Sequence, residues 1–389
     1  MPGLDKEIVI LSAARTPFGK FCGALKDLTA TELGAMAGRA AIERSGLPAD
    51  KIDHVIFGNA QQTSADAIYL ARHIGLEVGV PASTPALTVN RICGSGFQSI
   101  VSGAQLLLLG EASLVLAGGT ENMSQAPHVI RGARSGIPLG EGKLEDSLWS
   151  ALSDTYCHFN MAETAENLAS RYGVTREEAD EFAYQSQMRT KSAQQSGRLS
   201  QEIAPIAGLL DRDEHPRPGT TREALAALRP VFRKNGIVTA GNASGISDGA
   251  AAVILSTAEK AAQWGIEPLA RIISWGITGC EPAIMGIGPV PAIRNALDRA
   301  GLALNEIDLI EVNEAFACQY LAVEKELGLN RTKANVNGGA IAIGHPLGAT
   351  GTRLTTTLIY ELRRRNARYG LGSACIGGGQ GIALLLENI

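Results

Sequence analysis

The sequence is poor in aromatic residues, which make up 5% of its 389 positions, and in charge, which makes up 19%. A disordered chain or a charged coiled coil would need far more charge and far fewer than the 45% apolar residues present. The six cysteines, Cys22, Cys93, Cys157, Cys280, Cys318 and Cys375, lie far apart and contain no Cys-x-x-Cys pair. Neither a zinc site nor a disulfide framework is expected from that spacing. No excess of one charge sign exists either: 35 Lys+Arg oppose 39 Asp+Glu, for a net charge of −4. The longest basic run, Arg363-Arg364-Arg365, closes a helical stretch and suits the negative end of a helix, so no nucleic-acid footprint is read from it. The apolar region 106–116 is interrupted by Gly110 and Glu111 and is too short to cross a bilayer. The first residues do not show a basic segment followed by an apolar one. These absences lead to the expectation of a soluble intracellular protein, with two or three domains at this length.

What the chain has in excess is glycine: 45 of 389 residues, or about 12% where about 7% is usual. It also repeats itself. Residues 41–53 (Ala-Ile-Glu-Arg-Ser-Gly-Leu-Pro-Ala-Asp-Lys-Ile-Asp) match residues 296–308 (Ala-Leu-Asp-Arg-Ala-Gly-Leu-Ala-Leu-Asn-Glu-Ile-Asp) at an offset of 308 − 53 = 255. Each copy reads as the end of an amphipathic helix, a glycine stop, a loop and a buried strand. The same offset carries Gly96 onto Gly351, each before a helix expected at 97–109 and 353–364. Two copies of alternating strands and helices predict an α/β protein of two similar doubly wound halves. The expected division is 1–122 with 247–270 for the first half, 271–389 for the second, and an insertion at 123–246 that carries binding surface. Helices are predicted in that insertion near 161–172 and 176–193.

Four segments carry reactive groups. Asn90-Arg-Ile-Cys93-Gly-Ser-Gly96 sets a cysteine between a strand and a helix, where the positive end of the helix dipole is expected to favour the thiolate. A lone cysteine is more often a buried structural residue. Gly344-His345-Pro-Leu-Gly-Ala-Thr-Gly351 places a histidine, a candidate base, in a glycine-rich loop. Cys375-Ile-Gly-Gly-Gly-Gln-Gly381 sets a second cysteine beside backbone N–H groups, and Asn313-Glu-Ala-Phe-Ala ends the repeated strand with an amide. None of these loops matches the dinucleotide pattern, which needs a third glycine and a following helix. Their glycines are better read as exposing N–H groups toward a developing oxyanion.

Together the four loops resemble the signature loops of the thiolase family. Arg15-Thr-Pro-Phe-Gly near the start and Val238-Thr-Ala-Gly-Asn-Ala-Ser244-Gly before the second half add to the resemblance, which spans nearly the whole chain. It implies a five-layered αβαβα fold of two similar halves with an inserted loop domain, and a homotetramer built as a dimer of dimers. It implies CoA-dependent thiolytic cleavage of 3-ketoacyl-CoA to acetyl-CoA and a shortened acyl-CoA, with coenzyme A as co-substrate and no permanently bound cofactor or metal. Cys93 would be the acyl-accepting nucleophile, His345 its activating base and Cys375 the acid/base for the departing enolate. Asn313, through a water, and His345 would form one oxyanion hole, and the N–H groups of Cys93 and Gly377 the other. Ser244, Ala240, Phe232, Arg217, Leu152 and Met161 would line the path of CoA, with Met285 and Phe316 near the acyl group.

Within the family, Phe159-Asn160 stands where short-chain biosynthetic members show Tyr-His, and Gln380 where they show Met. Both features, with residues 66–73 and 93–100, look more like the mitochondrial-type 3-ketoacyl-CoA thiolase of β-oxidation; acetoacetyl-CoA-specific acetyltransferase activity is the alternative. A cytoplasmic setting is expected, or the mitochondrial matrix in a eukaryote. A decarboxylating condensing enzyme would lack the second cysteine, and a non-catalytic acyl-CoA- or lipid-binding relative would show one loop degraded.

Overall fold

The computed structural model describes residues 6–389. Its principal elements, in chain order, are β1 (Ile8–Arg15), α1 (Ala30–Ser45), β2 (His54–Gly58), β3 (Ala86–Val89), α2 (Ser95–Leu109) and β4 (Leu114–Asn122), then α3 (Met161–Tyr172), α4 (Arg176–Gln195), β5 (Ser247–Thr257) and β6 (Ala270–Gly279). The C-terminal part adds α5 (Pro289–Ala300), β7 (Leu309–Val312), α6 (Leu347–Arg365), β8 (Tyr369–Ile376) and β9 (Gln380–Asn388). The strands follow the order β7-β8-β9-β6-β1-β5-β4-β2-β3, with the short strand Gly19–Lys20 pairing with β5.

That path is two similar half-sheets joined at a narrow seam. In the first, β3, β2 and β4 run parallel and β5 and β1 antiparallel; in the second, β7 and β8 run parallel and β9 and β6 antiparallel. The seam is three residue pairs, Ile8–Ile10 against Ala270–Ile272. Only an isolated bridge between Ile310 and Ala334 stands where the second half would have its counterpart of β3.

Side-chain alternation along the strands builds three separate cores, because successive residues face opposite sides of a sheet. Along β1, Val9 and Leu11 join the core under α1, while Ile8, Ile10 and Ala13 join the one between the half-sheets. A third core packs β7–β9 against α5 and against α3 and α4. The layers are therefore α1, sheet, the central pair α2 and α6, sheet, and α5, which gives five. The stretch 92–109 is apolar enough by length and composition to cross a membrane; as α2 it packs between the half-sheets.

The duplication is legible at atomic scale. A thirteen-residue repeat ends α1 at Gly46 and α5 at Gly301, both left-handed with φ of 71° and 66°, where a glycine avoids the Cβ clash. Gly96 and Gly351 mark the crossing of α2 and α6. A Cβ on Gly96 would lie 2.6 Å from the Thr352 backbone N, and one on Gly351 would lie 2.2 Å from the Phe97 backbone N. Since 97 + 255 = 352, these two contacts are the same contact seen from either half. The helices begin earlier than predicted, at Ser95 and Leu347, because the glycines taken for loop residues are inside them.

Residues 123–246 leave the first half after β4 but pack largely on the second. Ala162, Ala165 and Phe182 share a core with Ile293, Tyr320 and Leu385. This crossing places α3 beside the loops of the C-terminal half.

Candidate active site

The loops before α2 and α6 and the turn after β8 meet at a cavity of about 410 Å³. Cys93, His345 and Cys375 all line it, as do Leu152, Met161, Phe232, Ala240, Ser244, Met285 and Phe316. Asn313 and Gly377 stand just behind, reaching the site through hydrogen bonds. Arg217 is not among the lining residues; it is exposed on its loop, with its backbone N–H held by Gln187 Oε1 at 2.9 Å.

Cys93 sits in a tight turn preceding α2. Ile92 adopts φ 48°, a left-handed conformation that is costly for a β-branched residue. Local bonds hold it there: the Ile92 N–H donates to Asn90 Oδ1 at 2.9 Å, and Ser95 Oγ accepts from the Arg91 N–H at 2.8 Å and donates to the Ile92 carbonyl at 2.7 Å. The backbone N–H groups of Gly377 and of Cys93 itself lie near the sulfur and favour its anion. Gly377 opens a turn in which Gly378 and Gly379 have φ of 82° and 83°. Arg91 ties the two loops together, donating to Gln98 Oε1 at 2.7 Å and to Gln380 Oε1 at 3.0 Å.

The expected thiolate is not favoured. Burial pushes the Cys93 thiol up to about 11, and the nearby Glu121 carboxylate adds to the rise, so together they outweigh the two amides that would stabilise the anion. Burial, reinforced by the Arg353 charge, lowers His345 to about 3. The resting pair is a thiol beside a neutral imidazole. Cys375 is fully buried at the end of β8, and its thiol lies well above the ordinary value because of that burial and the proximity of Cys93 and Cys280.

The tautomer of His345 follows from its neighbours. Thr350 Oγ1 donates its one proton to the Pro346 carbonyl at 2.8 Å, so it accepts from His345 Nδ1–H at 2.6 Å. Nε2 is then the basic nitrogen, and Asn313 Nδ2 lies 3.3 Å from it. Asn313 Oδ1 is buried without a protein partner. A thiol and an imidazole in contact with one cavity, amides aimed at the sulfur and a second thiol opposite can carry acyl transfer through a thioester.

Several residues escaped the sequence reading. Trp149, Leu148, Met123 and Ala315 complete the apolar lining, and Trp149 stacks on Phe232 with ring centroids 6.1 Å apart. Glu121 is a buried carboxylate that accepts N–H bonds from Ala60, Gln61 and Gly348 at 3.0, 2.9 and 2.8 Å. Gly348 belongs to the first turn of α6, so Glu121 of the first half caps the helix that follows His345 in the second. An acid inside the otherwise apolar and small-residue strand β4 was the available signal. Asn160, noted only as a departure, is the N-cap of α3: its side chain accepts the Ala162 N–H, and Glu163 returns a bond to its backbone.

Fold and site thus point to an acyltransferase. The thiolase N-terminal domain family matches residues 8–259 and the thiolase C-terminal domain family residues 266–388; the chain belongs to the thiolase family. It is 54% identical over 393 residues to human mitochondrial 3-ketoacyl-CoA thiolase, covering 99% of each chain. It is 50% identical to the acetyl-CoA acetyltransferase of Pseudomonas aeruginosa, covering 98% of this chain and 99% of that one. The crystal structure of human mitochondrial 3-ketoacyl-CoA thiolase in complex with CoA superposes with a TM-score of 0.98 at 55% identity over 99% of both chains. The acetyl-CoA acetyltransferase of Bacillus anthracis gives 0.97 at 45% identity over the full length of both.

Proposed function

We propose that this thiolase cleaves 3-ketoacyl-CoA with coenzyme A by a ping-pong route through acyl-Cys93. The observation that carries the reading is that Cys93 and His345, from two loops, and Cys375, from the end of β8, line one cavity, with the Gly377 N–H near the Cys93 sulfur. Because Cys93 holds its proton at rest, the thiol is deprotonated as it attacks: the proton passes to His345 Nε2 while sulfur bonds to the keto carbon. The bond between that carbon and the α-carbon then breaks, its electron pair forming the enolate of acetyl-CoA. Cys375 gives its proton to that enolate, and acetyl-CoA leaves. The Cys375 thiolate next takes the proton of incoming CoA, whose sulfur attacks acyl-Cys93. Cys93 is expelled and recovers its proton from His345. The reverse sequence is a Claisen condensation.

The Cys93 and Gly377 N–H groups would hold the thioester oxygen, where loss of one donor costs roughly 3–4 kcal/mol of barrier. Asn313, with a free buried Oδ1, would hold a water that joins His345 in binding the enolate oxygen. Leu152, Met161, Phe232, Ala240 and Ser244 would accompany pantetheine, Met285 and Phe316 the acyl group, and Arg217 the exposed phosphates. Exposed Ile130, Ile137, Leu139 and Leu144 on the inserted segment support a role for it in oligomer contacts, as a tetramer would need. Relatives at 54% identity, such as the human one, are named as mitochondrial, which favours the matrix over the cytoplasm for a eukaryotic chain of this kind.

The degradative, broader-chain reading is supported by Asn160 and Gln380 standing where short-chain members show His and Met, and by the 54% identity to a relative named 3-ketoacyl-CoA thiolase. Its test is kcat/KM for cleavage across a series from acetoacetyl-CoA to 3-oxododecanoyl-CoA. Comparable values at medium length are expected; activity confined to acetoacetyl-CoA would establish the acetyltransferase alternative.

A further inference from the structure

His215 takes no part in the chemistry above, yet it is packed against the loop that carries the base. Its imidazole fills a slot between two glycines: a Cβ on Gly245 would stand 2.3 Å from its Cε1, and one on Gly344 2.7 Å from its Cδ2. Nε2 lies 2.8 Å from Ser247 Oγ and 3.1 Å from the Ile246 carbonyl. Ser247 spends its one proton on the Gly245 carbonyl at 2.7 Å, so toward His215 its oxygen accepts, as the carbonyl does. The imidazole therefore carries its proton on Nε2. Burial, with Arg217 nearby, disfavours a second proton against the pull of Asp213 and Glu214.

The Ser247 oxygen has one more contact. It accepts the backbone N–H of His345 at 3.0 Å, a donor it shares with the Gly245 carbonyl at 3.3 Å. Both lone pairs and the proton of this hydroxyl are thus committed, and the His215 donor is the one side-chain contact among the three that hold it. The loop that holds His215 is itself bolted down. Asp213 receives both terminal nitrogens of the buried Arg15 at 2.6 and 2.8 Å, and the Phe18 N–H at 2.9 Å.

We propose that His215 is a positioning residue for His345: its Nε2–H fixes the Ser247 hydroxyl, which in turn fixes the backbone of the base. The proposal rests on His345 being the base. It joins the inserted segment, two residues from Arg217, to the reacting centre.

The test uses the full-length enzyme and compares kcat for thiolysis and KM for CoA in His215→Gln, His215→Asn, His215→Leu and Ser247→Ala, with unfolding midpoints as the check on folding. A glutamine amide reaches the place of Nε2; an asparagine amide reaches only that of Nδ1. His215→Gln is expected to keep kcat within about threefold, while His215→Asn, His215→Leu and Ser247→Ala each lose about tenfold, as one net hydrogen bond is worth, with KM unchanged. The double variant His215→Leu/Ser247→Ala should lose no more than either single one. Equal impairment of the Gln and Asn variants, a change in KM alone, or additive losses in the double variant would overturn the proposal. If His215→Leu does not fold, the Gln and Asn contrast decides. His345→Ala is run beside them: full activity there would remove the base assignment itself, whatever His215 does.

Discussion

In the N-terminal half the segment leading into the central helix runs from Asn90 to Cys93; in the C-terminal half the matching segment runs from His345 to Gly348, its last two residues already in the first turn of α6, since 345 − 255 = 90 and 348 − 255 = 93. Asn313 matches Gly58, and Cys375 matches Thr120, by the same subtraction. Each half therefore brings a reactive side chain to the cavity from matching loops, and in the mechanism proposed above one half supplies the nucleophile and the other the groups that move protons. The crossing of α2 and α6 at Gly96 and Gly351 is what turns the two loops toward one cavity. Duplication supplied the geometry, and divergence within a few loop positions supplied the chemistry. Where the halves meet they also depend on each other: Glu121 of the first caps the helix of the second, and Arg91 of the first holds Gln380 of the second.

This division of labour can be broken most severely at the nucleophile. Cys93→Ala should lower turnover by about 10⁴-fold or more and abolish acyl-enzyme formation. Cys375→Ser, on the other half, should still acylate from acyl-CoA while losing proton exchange at the α-carbon of acetyl-CoA, followed by deuterium uptake. Full turnover in that variant would mean that the halves do not divide the chemistry as described.

The crossing itself comes next. Gly351→Ala forces a Cβ against the Phe97 backbone, which cannot move as a side chain could, and about 3 kcal/mol of stability should be lost in denaturant titration. Gly301→Ala has open space around it and only the left-handed φ against it, so about 1 kcal/mol is expected. Equal costs at the two sites would show that the close approach of the helices is not what holds the halves together.

A smaller effect concerns charge. With Cys93 raised to about 11 and His345 lowered to about 3, neither group titrates between pH 5 and 9, and the thiolate fraction grows steadily toward alkaline pH. The rate of iodoacetamide inactivation should rise about tenfold per pH unit through that range. A plateau near neutrality would reveal a preformed thiolate–imidazolium pair.

Much of this was legible in the sequence because it is periodic or punctuated. The repeat at offset 255 gave two halves, and Cys93, His345 and Cys375 were marked by the glycines around them. The meaning of those glycines was only half visible. Gly377 does present its N–H to the nucleophile, but Gly96, Gly351 and Gly119 are there because backbone lies against them: a Cβ on Gly119 would meet the Gly348 carbonyl. Contacts between halves have no local signature, so the cap from Glu121 and the tie from Arg91 could not be read. The charge state of Cys93 went the wrong way for a related reason. A helix N-terminus can be recognised in sequence, whereas the burial and the neighbouring Glu121 carboxylate that oppose it are properties of the folded site. Arg217 was placed by resemblance and lies outside the cavity lining.

In the proposed reaction the first half accepts the acyl group and the second half handles the protons. Rapid quenching of the enzyme with 3-ketoacyl-CoA in the absence of free CoA, followed by peptide mass spectrometry, tests it directly. The shortened acyl group is expected on Cys93 alone, with one equivalent of acetyl-CoA released; acylation of Cys375, or release of acetyl-CoA without any acylated cysteine, would rule out this division between the halves.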